Sequence, residues 1–137
     1  MSGSCVQSVD QQAAGSVKVY FQCTGDASSG SIPDQVMRQD IFDTIRDSHY
    51  LYTVSAYPTP GGTAPGTANV QVKESGLDLL GTKGNSLITA SAQVSTFPYN
   101  AFTATYWYPP VKSIPTVSVT GESTASCNYT IVLDYER

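Results

Sequence analysis

The chain has 137 residues, a formal charge of −4 and a charged fraction of only 13%, about half of the ~25% usual for globular proteins. That length fits one ordinary domain, and a domain of this size buries roughly 70% of the surface its unfolded chain exposes, so a core needs neither a metal nor a disulfide. No run of Lys or Arg supplies the footprint of a nucleic-acid binder, and no stretch of ~18 apolar residues is present to span a bilayer as a helix.

Ser, Thr, Gly and Pro fill the gap left by the missing charges. This favours strands and turns, because helix surfaces normally carry Glu, Lys and Arg. Nine tyrosines point the same way, since Tyr suits both strands and contact surfaces. Met1-Ser2-Gly3-Ser4-Cys5-Val6 has no basic segment followed by an apolar one and does not read as a secretory signal. The expectation is a protein that works where it is made, or leaves inside a particle. Three cysteines, an odd number without a signal, argue against a disulfide framework. Cys23 and Cys127 fall at inward phases of strands and read as small buried hydrophobes. Their pairing would require neighbouring strands.

In chain order, residues 1–16 are small, polar and aperiodic, and read as a flexible N-terminal arm. Val17, Val19, Phe21 and Cys23 alternate with polar residues, which is a strand. Ser31-Ile32-Pro33-Asp34 resembles a helix start, and Met37, Ile41 and Ile45 recur every four residues, so a helix is expected over 34–47. Tyr50–Tyr57 is rich in strand formers. Pro58–Gly66 is an exposed loop of Pro and Gly. Strands follow with Ala68, Val70 and Val72, then Leu77–Leu80, then Ile88, Ala90, Ala92 and Val94. Phe102–Tyr108 reads as an aromatic strand covered on both faces. Val117 and Val119 mark another strand. Cys127, Tyr129, Ile131, Leu133 and Tyr135 alternate too strongly for a loose tail. The sum is an all-β fold, a β-sandwich or jelly-roll of about eight strands, with one domain over 17–137.

Few residues point to chemistry. His49 is the sole histidine. Ser48 beside it resembles a nucleophile and base, but neighbours on a strand point apart. Asp40, Asp43 and Asp47 read as a solvated helix face neutralised by Arg38 and Arg46. No zinc spacing, phosphate loop or dinucleotide fingerprint occurs. Asn128-Tyr129-Thr130 matches a glycosylation sequon but lies within a strand. No catalytic residue, metal ligand or cofactor is expected, and the chain reads as a structural or binding protein, not an enzyme.

The order of several segments carries a resemblance. Gly30-Ser31-Ile32-Pro33-Asp34, Tyr50-Leu51-Tyr52-Thr53-Val54, the Pro58–Pro65 loop, Ala68-Asn69-Val70-Gln71-Val72 and Gly76-Leu77-Asp78-Leu79-Leu80-Gly81 follow one another. This resembles small β-rich structural proteins of tailed bacteriophages, over about 30–81 and the last strand. After Asn85 the chain departs from that pattern, with Ser, Thr and aromatics in place of charges. The resemblance implies a virion component, foremost a capsid decoration or cement protein binding the major capsid protein or other virion subunits. A tail or head–tail connector protein and a carbohydrate-binding module are the alternatives. An aromatic, charge-poor surface rimmed by Ser and Thr favours a homo-oligomer, and the resemblance implies that this is a trimer. Aromatic and proline-rich surfaces name the expected contact residues: Tyr57, Pro58, Pro60 and Pro65 in the loop, and Tyr99, Phe102, Tyr106, Trp107 and Tyr108 in the aromatic run. Neither nucleic acid nor membrane is expected as a partner. The arm is expected to clamp a neighbour, and its deletion to leave the domain folded.

Overall fold

The computed structural model describes residues 3–12 and 14–137. Among these it contains eleven strands in three sheets and one short helix. β1 (Ser4–Gln11), β2 (Val17–Thr24), β11 (Asn128–Glu136), β4 (Tyr50–Pro58) and β7 (Val94–Thr96) lie in that spatial order in a five-stranded sheet. β3 (Gln35–Val36), β10 (Thr116–Thr120), β5 (Asn69–Glu74) and β6 (Leu77–Asp78) form a second sheet. β8 (Tyr99–Asn100) and β9 (Thr105–Tyr106) make a small hairpin of their own. All pairings are antiparallel. The fold is therefore all-β as expected, with more and shorter strands than the sequence pattern indicates.

Period-2 alternation places the core. Val17, Val19, Phe21 and Cys23 of β2 and Tyr129, Ile131, Leu133 and Tyr135 of β11 are buried. Val70, Val72 and Val117 from the second sheet share one apolar cluster with them. In β4 the register moves from Asp134↔Thr53 to Tyr135↔Leu51, leaving Tyr52 as an extra residue. This bulge resets the phase. Leu51, Val54 and Ala56 all turn inward, although an unbroken alternation from Leu51 would bury Thr53 and Ser55.

The helix α1 spans Gln39–Ile45, shorter than the expected 34–47. Its spacing holds: Met37, Ile41 and Ile45 are buried. Its start does not. Gln35 and Val36 pair with Val117 and Thr116, and the Met37 amide donates to the Pro115 carbonyl. A sheet edge thus captures the segment that capping signals assign to the first helical turn. Arg38 takes the N-cap without a side-chain cap.

The expected arm carries a strand over Ser4–Gln11; Met1, Ser2 and Ala13 lie outside the described residues. β1 pairs with β2 from Ser4↔Thr24 to Gln11↔Val17, and Cys5 is disulfide-bonded to Cys23 directly opposite. The Gln7 amide ties this edge to the second sheet. Its Nε2 donates to the Val36 carbonyl at 2.8 Å and its Oε1 accepts the Arg38 amide at 2.8 Å. The Arg38 guanidinium in turn donates to the Gln7 carbonyl. Val6 and Val9 are both exposed, so β1 has no apolar face to betray it. Gly3 adds a constraint, since a Cβ there would collide with the carbonyls of Ser31 and Thr24.

Two further expectations are corrected. Ile88 only bridges Ala68, and the Thr89 hydroxyl then donates to the Ala92 carbonyl in a turn. Ala90 and Ala92 are exposed, because two methyl groups gain too little by burial to hold a strand's phase. Phe102–Tyr108 is not one covered strand: residues 101–104 are a turn, with Ala104 at φ 54°.

The Cys5–Cys23 bond closes a separation of 18 residues. Chain-entropy arguments give such a loop roughly 3 kcal/mol of stabilisation. Cys5→Ser should lower the unfolding free energy by about that amount. Urea titration of both proteins under oxidising conditions checks this, with the difference vanishing when both are reduced.

Candidate functional site

The aromatic run forms an exposed surface anchored from below. The Leu79 carbonyl accepts both the Tyr99 amide at 3.0 Å and the Trp107 indole Nε1–H at 3.3 Å. The Asn100 Oδ1 accepts the amides of Phe102 and Thr103, which fixes the turn. Trp107 is half-buried and packs against the core. The other large side chains point outward: Phe102 is 86% exposed, Tyr106 58% and Tyr108 62%.

Ring contacts extend the surface across neighbouring elements. Tyr108 meets Tyr50 at 5.2 Å and Tyr52 at 6.1 Å between centroids. Tyr52 meets Phe97, Phe97 meets Tyr106, and Tyr106 meets Tyr99 at 5.2 Å. The Lys83 ammonium lies 4.7 Å from the Tyr99 centroid, a cation–π contact. Phe97, Tyr106, Trp107 and Tyr108 wall an open apolar depression of about 450 Å³. Tyr52, the extra residue at the bulge, meets both Phe97 and Tyr108.

Of the expected contact residues, Tyr99, Phe102, Tyr106, Trp107 and Tyr108 thus lie together on one hairpin. Tyr57, Pro58, Pro60 and Pro65 belong to other parts of the fold. Pro60 is exposed, Pro65 is buried, and Tyr57 stands on the outer face of the five-stranded sheet. The loop between them is tied down: Thr63 N donates to Asn128 Oδ1, Asn128 N to the Thr63 carbonyl, and Gly66 N to Glu122 Oε1. Sequence reasoning missed Tyr50, Tyr52, Phe97 and Lys83. Their joining depends on strand pairing and the bulge, which no local pattern encodes.

Ser48 and His49 do meet, against the expectation that they point apart. They sit at the turn after α1, where the alternation of a strand does not apply. Ser48 Oγ lies 2.7 Å from His49 Nδ1, and His49 Nε2 lies 2.7 Å from the Gly15 carbonyl. A carbonyl only accepts, so Nε2 carries a proton directed at Gly15. The pair fastens the β1–β2 turn to the start of β4. Asp40 pairs with Arg38 at 2.8 Å, while Asp43 and Asp47 flank Arg46. Among the described residues no cluster of His, Cys, Asp or Glu could hold a metal ion. Cys127 is free and buried, and burial with Glu122 nearby pushes its thiol up to about 11. Thr130 of the sequon is buried in β11.

A second concavity of about 300 Å³ lies on the outer face of the five-stranded sheet, around Tyr20, Tyr57, Val132 and Asp134. Burial raises the Asp134 carboxyl to about 6, helped by Glu136 and opposed by Lys18. Its Oδ1 is buried without a hydrogen-bond partner. No family model matches the chain, and neither a curated protein nor a solved structure matches it.

The Asp134 shift fixes a pH dependence. The unfolded group titrates near 3.8 and the folded one near 6, so between these values the fold holds the extra proton. Its unfavourable contribution is full above about pH 6 and gone below about pH 3.8. Asp134→Asn should therefore raise the melting temperature at about pH 7.5, with the gain shrinking toward pH ~3.5. Thermal melts of both proteins across that range check it.

Proposed function

We propose that this protein is a structural component of a bacteriophage particle, a decoration or cement protein that docks on the assembled shell through its aromatic hairpin. Docking through this hairpin, which is separate from the β-sandwich that the two larger sheets make in this reading, leaves the core untouched. The observation that carries the reading is the exposure of Phe102, Tyr106 and Tyr108 on a hairpin held firmly from beneath. Fully covering one such ring gains about 1.5–3 kcal/mol, and aromatic anchors dominate protein contacts. The surrounding Thr103, Thr105 and Thr96 supply a polar, uncharged rim. Among the described residues Lys83 is the one cation in contact with the cluster, which fits a charge-poor protein face on a capsid subunit.

A cement protein stabilises a shell only by binding the assembled form better than free subunits. The resemblance to phage structural proteins and the proposed homotrimer belong to this same reading. In this reading the hairpin does the clamping and residues 1–16 do not, because β1 is committed to a sheet.

The triple variant Phe102→Ser, Tyr106→Ser, Tyr108→Ser leaves Trp107 and the core intact. Cosedimentation with purified particles should show at least ~10-fold weaker attachment than wild type, and genome release at lower temperature. Attachment and heat stability equal to wild type would remove the hairpin as the docking face. A copy number of a few dozen or fewer per particle would favour a tail part over cement. Binding between copies without any attachment to particles would reassign the surface to self-association.

A further inference from the structure

The groove on the outer face of the five-stranded sheet is built from three neighbouring strands in register. Lys18, Asp134 and Thr53 form one row across β2, β11 and β4. Tyr20, Val132 and Ser55 form the next, and Gln22, Thr130 and Tyr57 the third. Gln93 closes the side beyond β4. Tyr20 lies beside Val132 and Tyr57 beside Thr130, on the two strands that flank β11, so they stand diagonally across it, roughly 12 Å apart. The result is a mostly polar slot with a phenol on either side and Val132 on its floor.

The polar groups decide what the slot can take. Lys18 faces Asp134 without a salt bridge, and Asp134 Oδ1 has no partner although it is buried. Gln93 adds an amide that both donates and accepts. Asp10 stands beside Lys18 in the same row and Glu136 lies close to Asp134, so the one cation is already matched by carboxyls and an anionic ligand gains nothing. A ligand is needed with apolar C–H faces for the rings and hydroxyls that donate to Asp134 and accept from Lys18 and Gln93.

We propose that this groove is a binding site for a neutral saccharide, holding a sugar ring over Val132 between Tyr20 and Tyr57. The volume of about 300 Å³ is at the small end of ligand sites, which suits a mono- or disaccharide unit of a longer glycan. The open sheet face lets a chain run past both ends. This site is separate from the aromatic hairpin and stands independently of the docking reading.

The test is titration of the intact protein with N-acetylglucosamine, galactose, maltose and cellobiose, followed by amide proton–nitrogen correlation spectra. At least one sugar should bind with a dissociation constant on the order of 1 mM, with shifts confined to β2, β4, β11 and Gln93. Tyr20→Ala and Tyr57→Ala, both outward-facing, should each weaken binding at least ~10-fold without changing the melting temperature. Asp134→Asn should weaken it too, in a protein expected to be more stable, so that loss of binding cannot be misfolding. Absence of shifts with all four sugars would overturn the proposal. So would shifts confined to the hairpin around Phe102 and Tyr106, or preferential binding of a cationic probe such as lysine methyl ester.

Discussion

The last strand is the constraint on which the structure rests. β11 is paired along its length with β2 on one side and β4 on the other. Its inward side chains Tyr129, Ile131, Leu133 and Tyr135 are almost entirely removed from water. Every other member of the five-stranded sheet is attached to it directly or through one neighbour. The pairing of β2 with β11 joins segments about a hundred residues apart, so its loop entropy is spent before the contact is gained. The core it creates must then be strongly apolar, and it is.

Two buried carboxylates organise the loops around that core. Glu74 Oε1 accepts the amides of Lys112 and Ser113, which holds the segment carrying Val111 against the cluster. Glu122 Oε1 accepts the amides of Gly66 and Thr124, which closes the proline-rich loop. The remaining oxygens of both, and the hydroxyls of Tyr129 and Tyr135, are buried without protein partners. Burial pushes both phenol groups above their ordinary range. Each tyrosine hydroxyl lies in the field of one of these carboxylates, so two polar sites sit at opposite ends of β11. The loops are thereby ordered by charge-assisted hydrogen bonds to the backbone.

This order reaches the exposed surfaces. The Leu51 amide donates to the Pro109 carbonyl and Tyr50 bridges Pro110, which sets Tyr108 over Tyr50. The hairpin hangs from the Leu79 carbonyl. Both the aromatic surface and the sheet-face groove are therefore carried on rigid elements, and their rings need little ordering on contact. Rigid aromatic side chains bind at low entropic cost.

Residues with a strong periodic face were legible from sequence. Val17 to Cys23, Ala68 to Val72 and Cys127 to Tyr135 bury the residues that alternation assigns, and Met37, Ile41 and Ile45 face the core as their spacing requires. The all-β class and the built-in last strand follow from these alone. Residues whose placement depends on a distant partner were not legible. β1 has no apolar face, and the β2 ladder, the Cys5–Cys23 bond and the Gln7 contacts hold it as a strand. Gln35 and Val36 leave the helix because β10 offers them hydrogen bonds. The Phe102–Tyr108 run turns back on itself through Asn100 and Leu79. Burial of a side-chain stripe is written locally, in the period of the sequence. An edge strand, a bulge and a hairpin surface are fixed by backbone partners far along the chain, and only the tertiary structure supplies those.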